Sequence, residues 1–191
     1  MNIKFLVFLS FVTYLFTCFI LGRNEARMEQ RDRALFRSIL NFGLLGVISF
    51  CIPYDNVPSA TNPLHPVLTL TIWVVIADLI FTITHRLLHT RPLYWIHKQH
   101  HENRPSYSTS TFDAHPIEFL FGNVATGLVP MLIFKGSEFT QFLWIFGAVI
   151  NTTIGHHQEG PHLIHHSLLK CNYGQGFYIW DRLFGTYKYK S

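Results

Sequence analysis

Histidine is the residue type whose number and spacing in this chain most clearly indicate chemistry. The chain of 191 residues contains 12 histidines, and all of them except His65 lie between His85 and His166. A neutral imidazole binds iron, zinc, copper and nickel through a ring nitrogen. A lone histidine is usually structural or exposed, but histidines grouped at regular spacing predict a metal site.

Three groups supply the candidate ligands. In the first group, His85 and His89 have the i, i+4 spacing that places both rings on one face of a helix. The other two groups share the pattern H-x-x-H-H, in which the first and last histidines share a face and the middle one lies beside them. Because one such pattern can supply two neighbouring metals, and because eight ligands exceed what one ion normally takes, we predict two metal ions. The predicted ligands are His85, His89, His97, His100, His101, His162, His165 and His166.

Other residues are candidates for the same site. His156 directly follows an apolar run and emerges at the level of the three groups, so we predict it as a further ligand, with the adjacent His157 as the alternative. Asp78 lies a near-whole number of helical turns before the first histidine pair, and we predict that it accepts a ligand N–H or, alternatively, is itself a ligand. Glu118 and His115 are predicted to hydrogen-bond ligand histidines without binding the metal themselves. Alternatively, His115 could itself be a ligand or, because it precedes a proline, could only begin a helix.

The sequence excludes several other classes of site. No H-E-x-x-H motif of a zinc protease is present, and the only E-x-x-H match, Glu159 to His162, crosses a Gly-Pro pair. No complete nucleotide-binding glycine motif occurs, so reducing electrons must come from another protein. The formal net charge of +4 is modest and the basic residues form no single patch. We therefore expect no nucleic-acid partner.

Long apolar segments surround the histidines and predict the fold. Apolar residues make up 49% of the chain and charged residues only 14%, which is typical of a protein that faces lipid. We predict an all-α integral membrane bundle of about four to five apolar helices with a histidine-rich helical cap; the second and fifth helices could be tilted, re-entrant or half-spanning. Residues 1–66 would form membrane anchor helices and a loop, and residues 67–191 a catalytic domain. The apolar runs cover residues 5–21, 35–52, 67–84, 117–134 and 139–154.

The distribution of lysine and arginine predicts the orientation of this bundle. If the third apolar run ends on the cytosolic side, strict alternation places residues 23–37, 85–116 and 155–191 on that side. These segments contain 13 of the 15 basic residues, and only Lys4 and Lys135 lie outside them. Since cytosolic loops are rich in lysine and arginine, this topology is favoured, and it brings all three histidine groups to the cytosolic face.

The histidine groups and their flanking residues resemble those of the fatty acid hydroxylase and sterol desaturase superfamily, from about residue 78 to residue 187. The resemblance implies that the three groups bind two iron ions that cleave oxygen, with electrons delivered by a carrier such as cytochrome b5 or ferredoxin with its reductase. It also implies that a sterol, a fatty acyl chain or a related lipid is hydroxylated or desaturated. The matching motifs are His-Arg-x-x-His at 85–89, Leu-Tyr-Trp-Ile-His-Lys-x-His-His at 93–101, Ala-His-Pro-x-Glu at 114–118, His-x-x-His-His at 162–166, Asn-Tyr-Gly at 172–174 and Trp-Asp-Arg-Leu-Phe-Gly-Thr at 180–186.

One departure from the superfamily bears on the site. The segment 155–161 is shorter than in many members, which would leave His156 or His157 to complete the ligands, or leave one metal with too few. We predict a membrane-bound, O2-dependent lipid oxidoreductase, located in the endoplasmic reticulum if the source is eukaryotic. Lipid oxidation requires a redox metal, which favours iron, although a purified sample could contain zinc. The alternative is a catalytically silent scaffold protein that holds zinc for folding or for assembly with a partner.

Overall fold

The computed structural model describes residues 1–21, 28–51, 56–60, 64–104, 106–157 and 160–189. Within these ranges the chain is helical and has no β-strand, so the all-α prediction is confirmed. In chain order the helices are α1 (Ile3–Leu21), α2 (Met28–Cys51), α3 (Pro66–Leu88), α4 (Tyr94–His97), α5 (Pro116–Glu118), α6 (Ala125–Ile133), α7 (Glu138–His157), α8 (Pro161–Leu168) and α9 (Ile179–Leu183).

Four helical segments of the described chain are long and apolar enough to cross a membrane. They are α1, α2, α3 and a continuous segment, Pro116–Ile133, in which a π-helical turn at Phe119–Val124 joins α5 to α6. The fifth apolar run also forms a helix, α7. The protein is therefore a multi-pass membrane protein, as its apolar runs predicted.

The outer surface of the bundle carries large apolar side chains. On α1, Phe8 is 63% exposed and Phe16 is 61% exposed, and on α2 Phe50 is 74% exposed. Exposed phenylalanine on this scale would be unfavourable in water, but it suits the hydrocarbon region of a bilayer. These faces of α1 and α2 are therefore the surfaces that contact lipid.

Polar side chains on α1 and α2 attach both helices to the polypeptide that follows the second histidine group. The Tyr14 hydroxyl donates to the carbonyl of Thr109 at 2.8 Å, and the Asn41 amide donates to the carbonyls of Phe112 and Ala114 at 3.0 and 2.9 Å. A backbone carbonyl buried in a membrane protein needs such a donor. The N-terminal helices therefore help to position the connection between α4 and α5.

The histidine-rich cap is built from helix ends and short turns. The pair His85 and His89 lies at the carboxyl end of α3, and the group 162–166 lies on α8. The group 97–101 does not lie on one helix as the pattern predicted, because α4 ends at His97 and a separate 3-10 turn spans His100–Glu102. The Gln99 side chain donates to Asp113 at 2.9 Å, which fixes the chain between the two elements.

Candidate metal centre

Among the described residues, nine histidines form two groups whose ring nitrogens lie within 4.8 Å of one another. All nine were predicted from the sequence as ligands, and the structure brings every one of them together. Eight of them are buried and His89 is half-buried. The first group is His85, His89, His97, His101 and His165, and the second group is His100, His156, His162 and His166.

Each H-x-x-H-H pattern is divided between the two groups in the same way. The first and last histidines of a pattern enter one group, and the middle histidine enters the other. On α8 this follows from helix geometry, because a residue at i+3 points about 60° away from one at i, and one at i+4 only about 40°. The two neighbouring groups thus share two short segments of chain.

The nitrogens that face one another within each group are all Nε2 atoms. In the first group, Nε2 of His97 lies 3.0 Å from that of His85, 3.1 Å from that of His89 and 2.9 Å from that of His101. In the second group, the His156–His100, His162–His156 and His166–His162 distances are 3.2, 3.1 and 3.2 Å. Each group therefore has its Nε2 atoms directed at one common centre.

Backbone carbonyls accept hydrogen bonds from two rings of the first group, on the side of each ring that faces away from the centre of the group. Nδ1 of His85 lies 2.7 Å from the carbonyl oxygen of Tyr173, and Nδ1 of His165 lies 2.7 Å from that of Cys171. A carbonyl oxygen only accepts, so each Nδ1 must carry the proton and donate it. In a neutral ring, Nε2 then presents a lone pair to the centre of the group.

Two further rings are held in the same tautomer. Nδ1 of His97 donates to Oε1 of Glu118 at 2.7 Å, and Nδ1 of His156 donates to the carbonyl of Thr152 at 2.9 Å. The contact between Glu118 and a predicted ligand histidine is the one that the sequence indicated. Acceptors behind the ring fix its orientation and strengthen Nε2 as a metal ligand.

Hydrogen bonding alone does not account for these contacts. Nε2 of His97 meets three other Nε2 atoms, and a single proton can satisfy only one of them. A metal about 2.0–2.1 Å from each nitrogen would set neighbouring nitrogens about 3.0 Å apart at right angles and about 3.4 Å apart in a tetrahedron. The observed separations of 2.9–3.3 Å match this range. The all-imidazole donor set fits two transition-metal ions and does not suit calcium or magnesium.

Burial keeps the rings in the neutral form that a ligand requires. It lowers the pKa of His97 from 6.5 to about 3, and it lowers the pKa of His89 to about 3 with further effects from His97, His100 and Arg104. Burial and neighbouring rings also lower the pKa of His162 and His166 well below the usual value. At neutral pH these histidines can therefore bind metal without first losing a proton.

The structure corrects the role predicted for Asp78. This buried carboxylate accepts backbone N–H groups of Gln175, Ile179 and Trp180 at 3.3, 2.7 and 3.3 Å, and within the described chain it accepts none from an imidazole. The residue lies on α3, but its face meets the segment after α8 rather than the histidines. Asp78 therefore fixes the segment whose Tyr173 carbonyl accepts from His85. It affects the site only through that segment.

His115 lies outside both groups. Its Nδ1 accepts the backbone N–H of Ile117 at 3.2 Å, so it caps the start of α5, which is the alternative that the sequence left open. His157 is likewise absent from both groups, and His156 occupies the position that either residue could have taken. The shortened segment 155–161, of which residues 158 and 159 lie outside the described chain, therefore does not deprive the second group of a fourth histidine.

Two spaces that share lining residues lie near the candidate metal centre. A pocket of about 10 Å³, enough for about one water-sized molecule, is lined by His85, His97, His100 and His156 together with other side chains. A mainly apolar cavity of about 610 Å³ extends between the helices as far as Ile3 and Val57. Phe81, Asn123 and Thr152 line both spaces. The small pocket beside the histidines therefore adjoins a cavity large enough for a lipid.

Several residues of the site were not predicted from the sequence. The carbonyls of Tyr173, Cys171 and Thr152 belong to the backbone, which carries no residue-type signal. Asp181, whose carboxylate accepts the backbone N–H groups of Tyr173 and Gly174, does stand in a motif that the resemblance singled out. Asn123 had a weaker signal, because it is a polar residue within an apolar run.

Comparison with known proteins identifies the family to which the chain belongs. The fatty acid hydroxylase family model matches residues 70–186, which is more than half of the chain. The chain belongs to the fatty acid hydroxylase family. The resemblance inferred from the histidine motifs is thereby confirmed, and the match begins close to the start of the predicted catalytic domain.

Similar proteins include enzymes with different lipid substrates in their names. Sphinganine C4-monooxygenase 2 of Arabidopsis thaliana is 28% identical over an alignment of 168 residues, which covers 75% of this chain and 65% of that protein. A very-long-chain aldehyde decarbonylase of Oryza sativa is 34% identical over an alignment of 139 residues, which covers 61% of this chain and 51% of that protein. Lathosterol oxidase of Rattus norvegicus is 26% identical over an alignment of 159 residues, which covers 72% of this chain and 51% of that protein. The chain thus spans about half to two thirds of these relatives, and no solved structure matches it.

Proposed function

We propose that the protein is a membrane-bound oxidoreductase that uses two iron ions and O2 to hydroxylate, or alternatively desaturate, a lipid. One observation carries this proposal: two adjacent groups of buried, neutral histidines surround a small pocket that shares three lining residues with an apolar cavity of about 610 Å³. A soluble substrate would not need such a cavity among helices that can cross a membrane. The names of the relatives, which include a monooxygenase, an oxidase and a decarbonylase, support a lipid substrate.

Imidazole ligands alone do not distinguish iron from zinc, so the choice of iron rests on the reaction, which requires a redox metal. When bound, iron would supply the one-electron chemistry that reduces O2, which zinc cannot. In hydroxylation, one oxygen atom enters a C–H bond and the other leaves as water, which consumes two electrons and two protons. These electrons would come from a protein carrier such as cytochrome b5 or ferredoxin with its reductase.

The chain's own residues would orient the ligand histidines, bind the lipid and enclose the reacting C–H bond. Glu118 and the carbonyls of Tyr173, Cys171 and Thr152 orient ligand rings through Nδ1. The apolar walls of the cavity would hold the lipid and exclude bulk water from the reacting C–H bond. The predicted orientation, with the histidines at the cytosolic face, would make the site accessible to a cytosolic electron carrier, and in a eukaryote the endoplasmic reticulum is the membrane that we propose.

Metal content tests this proposal directly. After anaerobic purification in detergent and reconstitution with iron, elemental analysis should give about two irons per chain, one for each histidine group. Replacement of His100 together with His165 should remove them, whereas replacement of His115, which lies outside both groups, should not. Zinc that iron cannot displace, or no bound metal, would instead support the silent scaffold.

Product analysis tests the reaction itself. Membranes that contain the protein are supplied with reductant and isotopically heavy O2, and the lipids are compared by mass spectrometry with those from membranes that contain the double variant His100→Ala, His165→Ala. A lipid that carries a heavy oxygen atom, or that has lost two hydrogens, only in the first sample supports the proposal. Identical lipid profiles from an iron-loaded protein would contradict it.

A further inference from the structure

The large cavity is apolar along most of its length, but its polar side chains are not evenly distributed. Three of the hydroxyls that line it already bond to their own helices: Ser10 donates to Leu6 at 2.7 Å, Thr126 to Gly122 at 2.6 Å and Thr152 to Ala148 at 2.8 Å. These hydroxyls have no need of a ligand. They leave the wall of the cavity effectively apolar where they occur.

Three carboxamides that line the large cavity behave differently. Within the described chain, the side chains of Asn123 and Asn151 have no hydrogen-bond partner, and Oε1 of Gln175 is buried without one. Asn151 is exposed, whereas Asn123 and Gln175 are half-buried. Because an amide that faces an apolar space without a partner is unfavourable, each of the latter two indicates that something polar is bound there at some stage.

The two half-buried carboxamides lie at the end of the cavity nearest the histidines. Asn123 also lines the small pocket that His85, His97, His100 and His156 surround, and Gln175 lies beside Gly155, the residue before His156. Asn123 belongs to the π-helical turn Phe119–Val124, and such turns are frequent at functional sites because they reorient side chains. The opposite end, near Leu6 and Val57, is formed by apolar residues of the protein core.

We propose that Asn123 determines specificity by hydrogen bonding to a hydroxyl group of the substrate, so that the carbon to be oxidised lies within a few bonds of that hydroxyl. This inference rests on the proposed function and narrows its substrate class to hydroxylated lipids. A carboxamide both donates and accepts, and so does a hydroxyl, which makes the two groups complementary. The apolar tail would then extend away from the metals toward Leu6 and Val57. A lipid bound in the reverse direction would place a methyl group against an unsatisfied amide.

A binding experiment tests this inference without requiring that the protein oxidise a lipid. The full chain in detergent is loaded with brominated hexadecane, whose bromine quenches tryptophan fluorescence; of the four tryptophans, Trp144 lies in the cavity wall. Hexadecanol and hexadecane are then compared as competitors that restore the fluorescence. Because each probe partitions into detergent equally for every variant, the change in their ratio between variants reports the cavity alone.

The expected result is a preference of the unmodified protein for hexadecanol over hexadecane that falls about fivefold to tenfold in Asn123→Leu, the size expected for one hydrogen bond. The matched control Thr126→Val, one helical turn along the same segment, should keep the preference because its hydroxyl already donates to Gly122. Should Asn123→Leu not fold, Asn123→Ala gives the same comparison. A preference that is absent in the unmodified protein, or that survives both Asn123 variants, would overturn the inference.

The position of the product oxygen keeps the two proposals distinguishable. If the unmodified protein prefers hexadecanol through Asn123 but oxidises no lipid, the proposed function fails while the recognition of a hydroxyl stands. If a lipid is oxidised at mid-chain or at its terminal methyl group, the proposed function stands and the role of Asn123 is overturned. Oxidation within a few bonds of a hydroxyl, lost in Asn123→Leu at unchanged iron content, supports both.

Discussion

The Nε2 atoms of His85 and His97 face each other at 3.0 Å, although each ring donates its proton from Nδ1 on the opposite side. Two lone pairs at this separation repel each other unless a cation lies between them. The acceptors, Tyr173 and Glu118, thus prepare the rings for a metal and make the metal-free arrangement unfavourable.

Removal of metal should therefore destabilise the protein. We expect chelation of the iron-loaded protein to lower the free energy of unfolding by about 3 kcal/mol or more, as for a ligand supplied at about a hundred times its dissociation constant. Thermal unfolding in detergent, followed by circular dichroism, measures this change. Iron or zinc should restore the stability, but calcium and magnesium should not, because they prefer oxygen ligands. Equal melting temperatures with and without chelator would contradict the assignment of both groups as metal sites.

A single replacement in the first group should reduce the metal content, whereas replacement of a histidine outside both groups should not. We expect His101→Ala to lose at least one metal per chain, because Nε2 of His101 lies 2.9 Å from that of His97 and 3.3 Å from that of His165. His115→Ala is the matched control: it should retain both metals and lose only about 1 kcal/mol of stability with its helix cap. Elemental analysis and thermal unfolding of the same samples make the comparison. Equal metal loss from both variants would show a general folding defect instead.

The sequence predicted which histidines come together more completely than it predicted the groups that hold their rings. Imidazole is a strong signal by residue type, and on α8 the spacing of the H-x-x-H-H pattern determines how its members divide between the two groups. The acceptors behind His85 and His165 are backbone carbonyls, whose positions depend on how the segment after α8 folds. Asp78 was placed on the correct helix, but its partner depends on tertiary packing that periodicity does not contain. The helix across residues 97–101 was wrong for a similar reason, because the contact between Gln99 and Asp113 is not local.

Glu118 should affect metal affinity without being a ligand. Glu118→Leu removes the acceptor behind His97, and we expect metal affinity to fall about tenfold to a hundredfold, as is typical when such a partner is lost. Glu118→Gln should have a smaller effect, since an amide oxygen can still accept the Nδ1 proton. Glu138→Gln is the control, because that exposed acid pairs with the N-terminal amine far from the histidines. Competition against a chromogenic chelator measures all three, and equal affinities would remove Glu118 from the site.

Gly174 should be required for the segment that carries the Tyr173 carbonyl. A Cβ atom at this position would lie 2.7 Å from Oδ1 of Asp78 and 2.9 Å from Oδ2 of Asp181, two carboxylates whose backbone hydrogen bonds hold the segment. We expect Gly174→Ala to cost about 1–3 kcal/mol of stability through overpacking, and to weaken metal binding. Gly43→Ala, which has open space around it in α2, should be neutral or slightly stabilising. Thermal unfolding of the two variants tests this, and a stable, fully metal-loaded Gly174→Ala would contradict it.

Filling the cavity should slow lipid oxidation while the metal content stays the same. A side chain at Gly127 would project into open space that belongs to the cavity, since no atom lies within 4 Å of its Cβ position. We expect Gly127→Leu to lower kcat/KM for the lipid by about tenfold or more, because specificity pockets discriminate sharply against lost volume. Iron content should not change, as Gly127 lines only the large cavity and not the pocket beside the histidines. Gly43→Leu adds the same side chain to an exposed part of α2 and should leave both quantities unchanged. If Gly127→Leu oxidises lipid at the original rate, the substrate does not occupy this cavity, and the histidines must receive it by another route.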